Sequence, residues 1–393
     1  MKKTISIVLA IVMIASCFAF AGCGSKSASN TIKIGTLGPY TGATAVYGLA
    51  VKNGVELYIN QVNAAGGING KQIELIAYDN KGEDAEAITA FNKLVDDGVT
   101  AIVGDVLTSN ELAVVPEAAA VNMPAVTASA TAEAVTINQK DGSVYKNVFR
   151  TCFIDPFQGV KMAEYAAEKL GAKTAAIIYR TGDMYAEGIT NKFKETCATC
   201  GLEVVKVEGY ADGDKDFNAQ LTNILAMNPD VVLAPNYYED DGMIVKQARA
   251  LGYTGTFIGG DGWAGISAYA TAEELEGSVY CSAYAPGASD TIVAFENAYI
   301  AAYGADALNM FSALAYDAAQ IVVAAIGEAE KTGKAPASDE YKQSIIDAIP
   351  KVAANVQGIT SANGYKFDEF NNPIKDAVII ELQNGTEAFK EIF

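Results

Sequence analysis

The chain has 393 residues, half of them apolar and 19% charged, so it can bury sizeable cores and is neither disordered nor fibrous. Its 28 Lys and Arg stand against 47 Asp and Glu, a net charge of −19, which argues against a protein that grips nucleic acid or anionic lipid through a basic surface. Histidine is absent, which removes Ser-His-Asp and Cys-His catalysis and the commonest zinc and haem ligand sets.

Lys2 and Lys3 precede an apolar run from Ile5 to Phe20, of signal-peptide length and too short for a confident membrane span. The run ends in Ala21-Gly22-Cys23, followed by a Gly/Ser-rich stretch to Asn30. This resembles a bacterial lipobox, with Phe20 where that pattern has Leu. It implies a signal peptide over 1–22, cleavage before Cys23, lipid on the Cys23 thiol and a flexible tether over 23–30. Plain secretion with Cys23 left over is the alternative. No second long apolar run follows, so a soluble body on a lipid leash is expected.

Beyond the tether, strand and helix alternate. Ile32–Gly35 is a short β-branched run. Val46–Ala65 then places Val55, Tyr58, Ile59 and Val62 on one helical face, and Gly66-Gly67 stops it. Strand Ile73–Tyr78, helix Ala85–Asp97, strand Thr100–Val103, helix Asn110–Val121 and strand Ala125–Thr127 complete a βαβαβαβ unit. After Phe149-Arg150-Thr151 the rhythm restarts, with helices at Pro156–Leu170, Tyr185–Thr199, Asp216–Met227 and Asp240–Leu251. The strands of this half are Thr174–Tyr179, Glu203–Glu208, Asp230–Ala234 and Thr256–Gly259. Past Cys281 the pattern is mostly helical, at 289–303, 309–329 and 339–348, with a late strand at Val378–Leu382. The fold class is therefore α/β, with two doubly wound, Rossmann-like lobes of parallel strands covered by helices. The helical tail fits best if the chain crosses between lobes several times.

Open α/β sheets bind ligands beyond the carboxyl ends of their strands. Strand 100–103 runs into Gly104 to Glu111, where Thr108 and Glu111 have capping-box spacing. Strand 125–127 runs into Ala128-Ser129-Ala130-Thr131. Hydroxyls and free N–H groups at two helix starts suit a carboxylate or phosphate, although ordinary capping needs no ligand. Nucleotide motifs fail. Gly66 to Gln72 (GGINGKQ) has Ala65 where a phosphate loop needs Gly, no Ser or Thr after Lys71, and a strand behind it. Cys197 and Cys200 have CxxC spacing without a second pair or His, so helix-end thiols or a local disulfide is preferred over a redox or metal site. The acidic run Glu239-Asp240-Asp241 after Tyr238 reads as a solvated helix start, favoured by the helix dipole.

Several stretches, in order, resemble the type I periplasmic binding proteins, in particular the leucine/isoleucine/valine-binding branch of the solute receptors of ABC transporters. They are IGTLGPYTGATAVYG (34–48), NAAGGINGK (63–71), Tyr78-Asp79, IVGDVL (102–107), PAVTASAT (124–131) and FRTCFIDPFQG (149–159). MYAEG (184–188), KQARALG (246–252) and FIGGDGW (257–263) follow. The resemblance spans residues 32 to about 383. It implies three crossovers, near 151–154, 282–285 and 374–377. Lobe one would hold 31–151 plus 284–375, and lobe two 152–283 plus 376–393, with the ligand cleft between them.

The resemblance also implies a site. Thr108, with Ser109 beside it as an alternative donor, and the turn Ser129, Ala130 and Thr131 match the positions that hold an amino-acid carboxylate. Asp261 matches the acid that holds the ammonium, one methylene shorter than the Glu frequent in relatives. Tyr47, Tyr185 and Tyr237 match aromatic lid positions, and Phe311 a side-chain pocket. Trp263, the single Trp, is a cleft-wall candidate or a packing residue. The chemistry agrees, because a zwitterion needs N–H and hydroxyl donors at one end and a carboxylate at the other. For Asp261 and the tyrosines the alternative is plain loop capping and packing.

The expected function is a lipid-anchored extracytoplasmic receptor that binds an amino acid, branched-chain or related, and delivers it to ABC permease subunits. It would make and break no bond, use no cofactor or metal, bind no nucleic acid and act as a monomer. A sensor of the same fold that signals to a membrane partner is the rival reading. An enzyme comes third, because no nucleophile–base pair or metal cluster is visible in the sequence.

Overall fold

A computed structural model describes residues 31–393. The expected signal peptide, the lipidated Cys23 and the tether lie outside the described residues.

The first sheet has five parallel strands: β1 (Thr31–Gly38), β2 (Gln72–Asp79), β3 (Ala101–Val103), β4 (Ala125–Thr127) and β5 (Val148–Arg150), in the spatial order β2-β1-β3-β4-β5. Between them lie helices α1 (Ala45–Ala64), α2 (Asp84–Asp96) and α3 (Thr108–Ala120). β1 runs to Gly38, past the four residues read from its sequence, because Thr36, Leu37 and Gly38 pair with Ala77, Tyr78 and Asp79 of β2. The AIV of β3 is buried throughout, as befits a strand covered by helices on both faces.

At Thr151 the chain leaves this sheet. Helix α4 (Asp155–Glu168) opens the second half. Its strands are β6 (Thr174–Arg180), β7 (Glu203–Tyr210), β8 (Val231–Leu233), β9 (Thr256–Gly259) and β10 (Val279–Ser282), and its helices include α5 (Met184–Cys200), α6 (Asn218–Leu225), α7 (Tyr238–Ala250) and the one-turn α8 (Ala272–Leu275). The chain then returns to cover the first sheet with α9 (Asp290–Tyr303), α10 (Met310–Glu330) and α11 (Asp339–Ala353). It crosses a third time to end in a hairpin, β11 (Val378–Gln383) and β12 (Thr386–Ile392). The second sheet thus has seven strands, in the order β12-β11-β10-β9-β8-β6-β7, antiparallel only at its hairpin end. These are two α/β lobes joined by three crossovers.

β5, β10, α8 and β12 are absent from the reading above. The signal for β12 was present: Asn384 and Gly385 both adopt positive φ, the two-residue turn that Asn-Gly favours in hairpins. One expectation fails. α10 is long and apolar enough to span a bilayer, but it is a core helix, buried against α1, α11 and the first sheet. The crossovers are tied to each other. The Lys375 ammonium, at the third, donates to the Thr151 carbonyl of the first at 3.1 Å and to Thr360 Oγ1 at 2.6 Å. Thr151 Oγ1 donates in turn to Leu314 O on α10 at 2.9 Å.

Candidate functional site

On lobe one, two turns at the carboxyl ends of β3 and β4 meet. Gly104 leaves β3 with φ +130°, and a Cβ there would sit 2.7 Å from Leu37 O, so this position requires glycine. Thr108 is the first residue of α3 and does not cap it; Glu111 instead accepts from the Asp105 backbone N–H. The capping box suggested by the spacing is therefore not formed. The Asp105 carboxyl accepts from Asn80 Nδ2 at 2.7 Å and from the Val106 N–H, and burial pushes it up to about 7. Burial also pushes Glu111 well up, helped by repulsion from Asp105.

The second turn is stitched to the first. Thr127 Oγ1 donates to Asp105 O at 2.8 Å and accepts from the N–H groups of Ser129 and Ala130. Ser129 Oγ donates to Val106 O at 2.7 Å. Below it, the buried Arg150 guanidinium donates to Ala130 O and Ala132 O, both at 3.0 Å. The turn is thus held on both flanks of Thr131, whose own hydroxyl is buried beside the Asp155 carboxyl.

On lobe two, Asp261 begins the 3₁₀ turn after β9. Its N–H donates to Gln158 Oε1 at 2.8 Å, and Gln158 Nε2 donates to its carboxylate at 3.0 Å. Burial pushes Asp261 up to about 6, against the lowering effect of hydrogen bonds from Gln158 and Tyr185. The Tyr185 hydroxyl accepts from the Gly262 N–H at 2.8 Å.

Aromatic rings close the space. Tyr185 and Tyr237 stack at 5.3 Å, and Tyr47 sits edge-on to Phe311 at 4.9 Å. Arg180, paired with Asp183 and Asp212, lies over the Tyr237 ring at 4.9 Å. Tyr47 comes from lobe one, yet its hydroxyl donates to Gly262 O at 2.5 Å and accepts from the Tyr238 N–H at 3.1 Å on lobe two. The lobes are therefore drawn together across the cavity. Tyr47, Thr108, Ser129, Thr131, Tyr185, Tyr237, Asp261 and Phe311 line a cavity of about 280 Å³.

Two candidates stay outside it. Ser109 lines a separate groove with Asp84, Arg180 and Asp183, because it lies on the outward side of the first turn of α3. Ala130 is fully buried with its carbonyl taken by Arg150, so it supports the turn. Trp263 is a packing residue: it is buried, its Nε1 donates to Ala234 O at 2.7 Å, and it does not line the cavity. Asp240 and Asp241 are not solvated either. Asp241 is buried and accepts from the N–H and Nδ2 of Asn236, while Asp240 takes the Tyr210 hydroxyl and Lys215. Cys152, Cys197, Cys200 and Cys281 are free thiols. Val106, Leu107 and Gly262 also line the cavity. Gln158 and Arg150 support it and had been assigned no role, although both fall in the quoted stretch 149–159.

Residues 31–387 match the family described as periplasmic binding protein. The chain is 30% identical over 331 residues to a Leu/Ile/Val-binding protein homolog of Brucella melitensis, covering 83% of this chain and 86% of that one. It is 35% identical to the leucine-, isoleucine-, valine-, threonine- and alanine-binding protein of Pseudomonas aeruginosa over 62% of this chain, spanning 64%, less than two thirds, of that relative. Among solved structures, the branched-chain amino acid transporter substrate binding protein LivJ of Streptococcus pneumoniae, in complex with isoleucine, superposes with a TM-score of 0.82. It shares 33% identity, with 92% of this chain and 99% of that one covered. The leucine binding protein LivK of Thermotoga maritima gives a TM-score of 0.81 at 30% identity, over 92% of this chain and 98% of that one.

Proposed function

The chain belongs to the periplasmic binding protein family, whose members are binding proteins and not enzymes, and from that premise we propose that it captures a branched-chain amino acid outside the cytoplasm for an ABC permease. One observation carries the ligand class: hydroxyls of Thr108 and Thr131 from lobe one and the Asp261 carboxylate from lobe two converge on one cavity. That is the donor and acceptor pair a zwitterion requires. Val106, Leu107, Phe311 and the Tyr rings offer the apolar wall an aliphatic side chain needs, and burying such a side chain contributes about 1.5–3 kcal/mol. The relatives named for leucine, isoleucine and valine support the same class. We place lobe one at 31–151 with 284–375 and lobe two at 152–283 with 376–393. Cleft closure by contacts from both lobes is the mechanism.

A thermal-shift screen of the twenty amino acids and their desamino acids tests the ligand. Leucine, isoleucine or valine at 100 times its dissociation constant should add ~2.7 kcal/mol to stability. No shift with any amino acid would sink the assignment. The proposed anchor is lipid on Cys23. Cys23→Ala should abolish labelling by a fatty-acid probe in the producing cell, and unchanged labelling would remove the anchor from the proposal.

A further inference from the structure

The tyrosines that wall the cavity are fixed in different ways. Tyr47 and Tyr185 are pinned by their hydroxyls, the first through Gly262 O and the Tyr238 N–H, the second through the Gly262 N–H. Tyr237, half-buried just before α7, is held through its ring. Tyr185 stacks with it at 5.3 Å, the planes 12° apart, and the Arg180 guanidinium carbon lies 4.9 Å from its centroid.

Arg180 ends β6 and is fixed at both of its own ends. Its backbone N–H donates to Asn236 Oδ1 at 2.8 Å, and Asn236 is the residue before Tyr237. Asn236 Nδ2 donates in turn to Asp241 at 2.8 Å and to Ile178 O at 3.2 Å, which ties the end of β6 to the loop that carries Tyr237. At the far end, one guanidinium nitrogen donates to Asp183 and the other to Asp212, the latter at 2.9 Å. The Asp183 side chain is 9% exposed and that of Asp212 84%, so the bond to Asp183 is the less screened of the two. Asp183 also caps α5 by accepting the Ala186 N–H at 3.1 Å, and Tyr185 is the second residue of that helix. One ion pair thus fixes the helix that presents Tyr185 and the cation that covers Tyr237.

Arg180 itself does not line the cavity. It lines the outer groove with Asp183 and Asp212 of its own lobe and Asp84, Ser109 and Leu112 of lobe one. The wall between groove and cavity therefore has two layers. Thr108 and Tyr237 form the inner one, and Ser109 and Arg180 the outer one. A planar guanidinium held by two carboxylates keeps its place, and its charge favours a ring face turned towards it. Without it, the Tyr237 ring keeps its stacking partner but loses its outer cover. A ligand would then have to order that ring on binding, and the cost falls on affinity.

We propose that Arg180 is a positioning residue for ligand capture: it touches no ligand and acts through Tyr237, whose ring it holds in place as a wall of the cavity. The inference rests on the amino-acid reading of the cleft and extends it to a residue outside the cavity.

The test is a double-mutant cycle, read by calorimetric titration with L-leucine. It uses wild type, Arg180→Met, Tyr237→Leu and the double variant. Arg180→Met keeps the apolar stem and removes the charge, and Tyr237→Leu keeps an apolar wall without an aromatic face. Arg180→Met alone should weaken leucine binding by about 5- to 30-fold. In the Tyr237→Leu background the same substitution should cost less than about twofold, because the ring through which it acts is gone. A residue that merely stabilises lobe two would cost the same in both backgrounds, and equal losses overturn the proposal. Arg180→Met binding leucine within twofold of wild type overturns it as well and leaves the amino-acid reading in place. If wild type binds no leucine, that reading fails and takes this inference with it. Should Arg180→Met fail to fold, Arg180→Gln is carried through the same cycle and read by the same limits.

Discussion

At the scale of single residues, the site is a set of buried polar groups whose neighbours leave them incomplete. Asp261 shows the cost. Its ordinary value of 3.8 is raised to about 6 in the folded chain, chiefly by burial. The folded protein therefore holds that proton more tightly than the unfolded chain. The destabilisation is absent near pH 4 and complete above about pH 6, where a shift of some two units corresponds to about 3 kcal/mol. Asp261→Asn removes the charge and keeps the shape. In the unliganded protein the variant should match wild type near pH 4 and exceed it by about 3 kcal/mol at pH 7.5, measured by denaturant melts at both values. A difference that does not change with pH would show that the carboxylate is not desolvated. With an ammonium ligand the sign reverses: affinity rises as pH climbs through about 6, because the empty site must shed a proton to bind. Asp261 was legible in the sequence through its place after a Gly-rich strand end. Arg150 and Gln158 were not, because the groups they support, the Ala130 carbonyl and the Asp261 carboxylate, lie 20 and 103 residues away along the chain.

At the scale of elements, periodicity located most helices and strands, and pairing corrected their ends. β1 doubled in length because β2 offers partners to Gly38. α7 begins at Tyr238, two residues before the acidic run suggested, because the Tyr238 N–H is held by Tyr47 across the cleft. β10 escaped notice because VYCS is only four residues, too short to show a period and buried throughout. Close approach also stays hidden in a sequence. Gly54 lies mid-helix in α1, where glycine is unfavourable, yet a Cβ there would meet Ser312 O of α10 at 2.3 Å. That glycine lets α1 pack on α10, and α1 carries Tyr47 into the cleft.

At the scale of the whole molecule, Tyr47 joins the lobes. Its hydroxyl makes two hydrogen bonds to lobe two, and Tyr238 Oη donates to Ala43 O at 2.5 Å nearby. Tyr47→Phe removes the first two and leaves the ring packing in place. The unliganded variant should then populate a more open form, with a larger radius of gyration by X-ray scattering than wild type. Leucine affinity should fall by about 5- to 150-fold, the equivalent of 1–3 kcal/mol. Identical scattering and affinity would mean that these bonds do not bias closure.

The sequence by itself determined the class of the protein. Alternating periodicities prescribe parallel sheets under helices, and the helical tail already demands more than one crossing between lobes. Composition removed histidine chemistry and basic-surface binding, and local motifs placed the carboxyl-end turns where ligands bind. The tertiary structure decided which hydroxyls face the cavity and which are spent. Ser129 and Thr127 bond to backbone, Ser109 turns outward, and Thr131 lines the cavity. It also decided which acids are buried, Asp105, Glu111 and Asp261 among them. The reason is physical: a spacing along the chain fixes where a side chain can start. Its hydrogen-bond partner is chosen among atoms tens or hundreds of residues away, and only the packed lobes bring those atoms within reach.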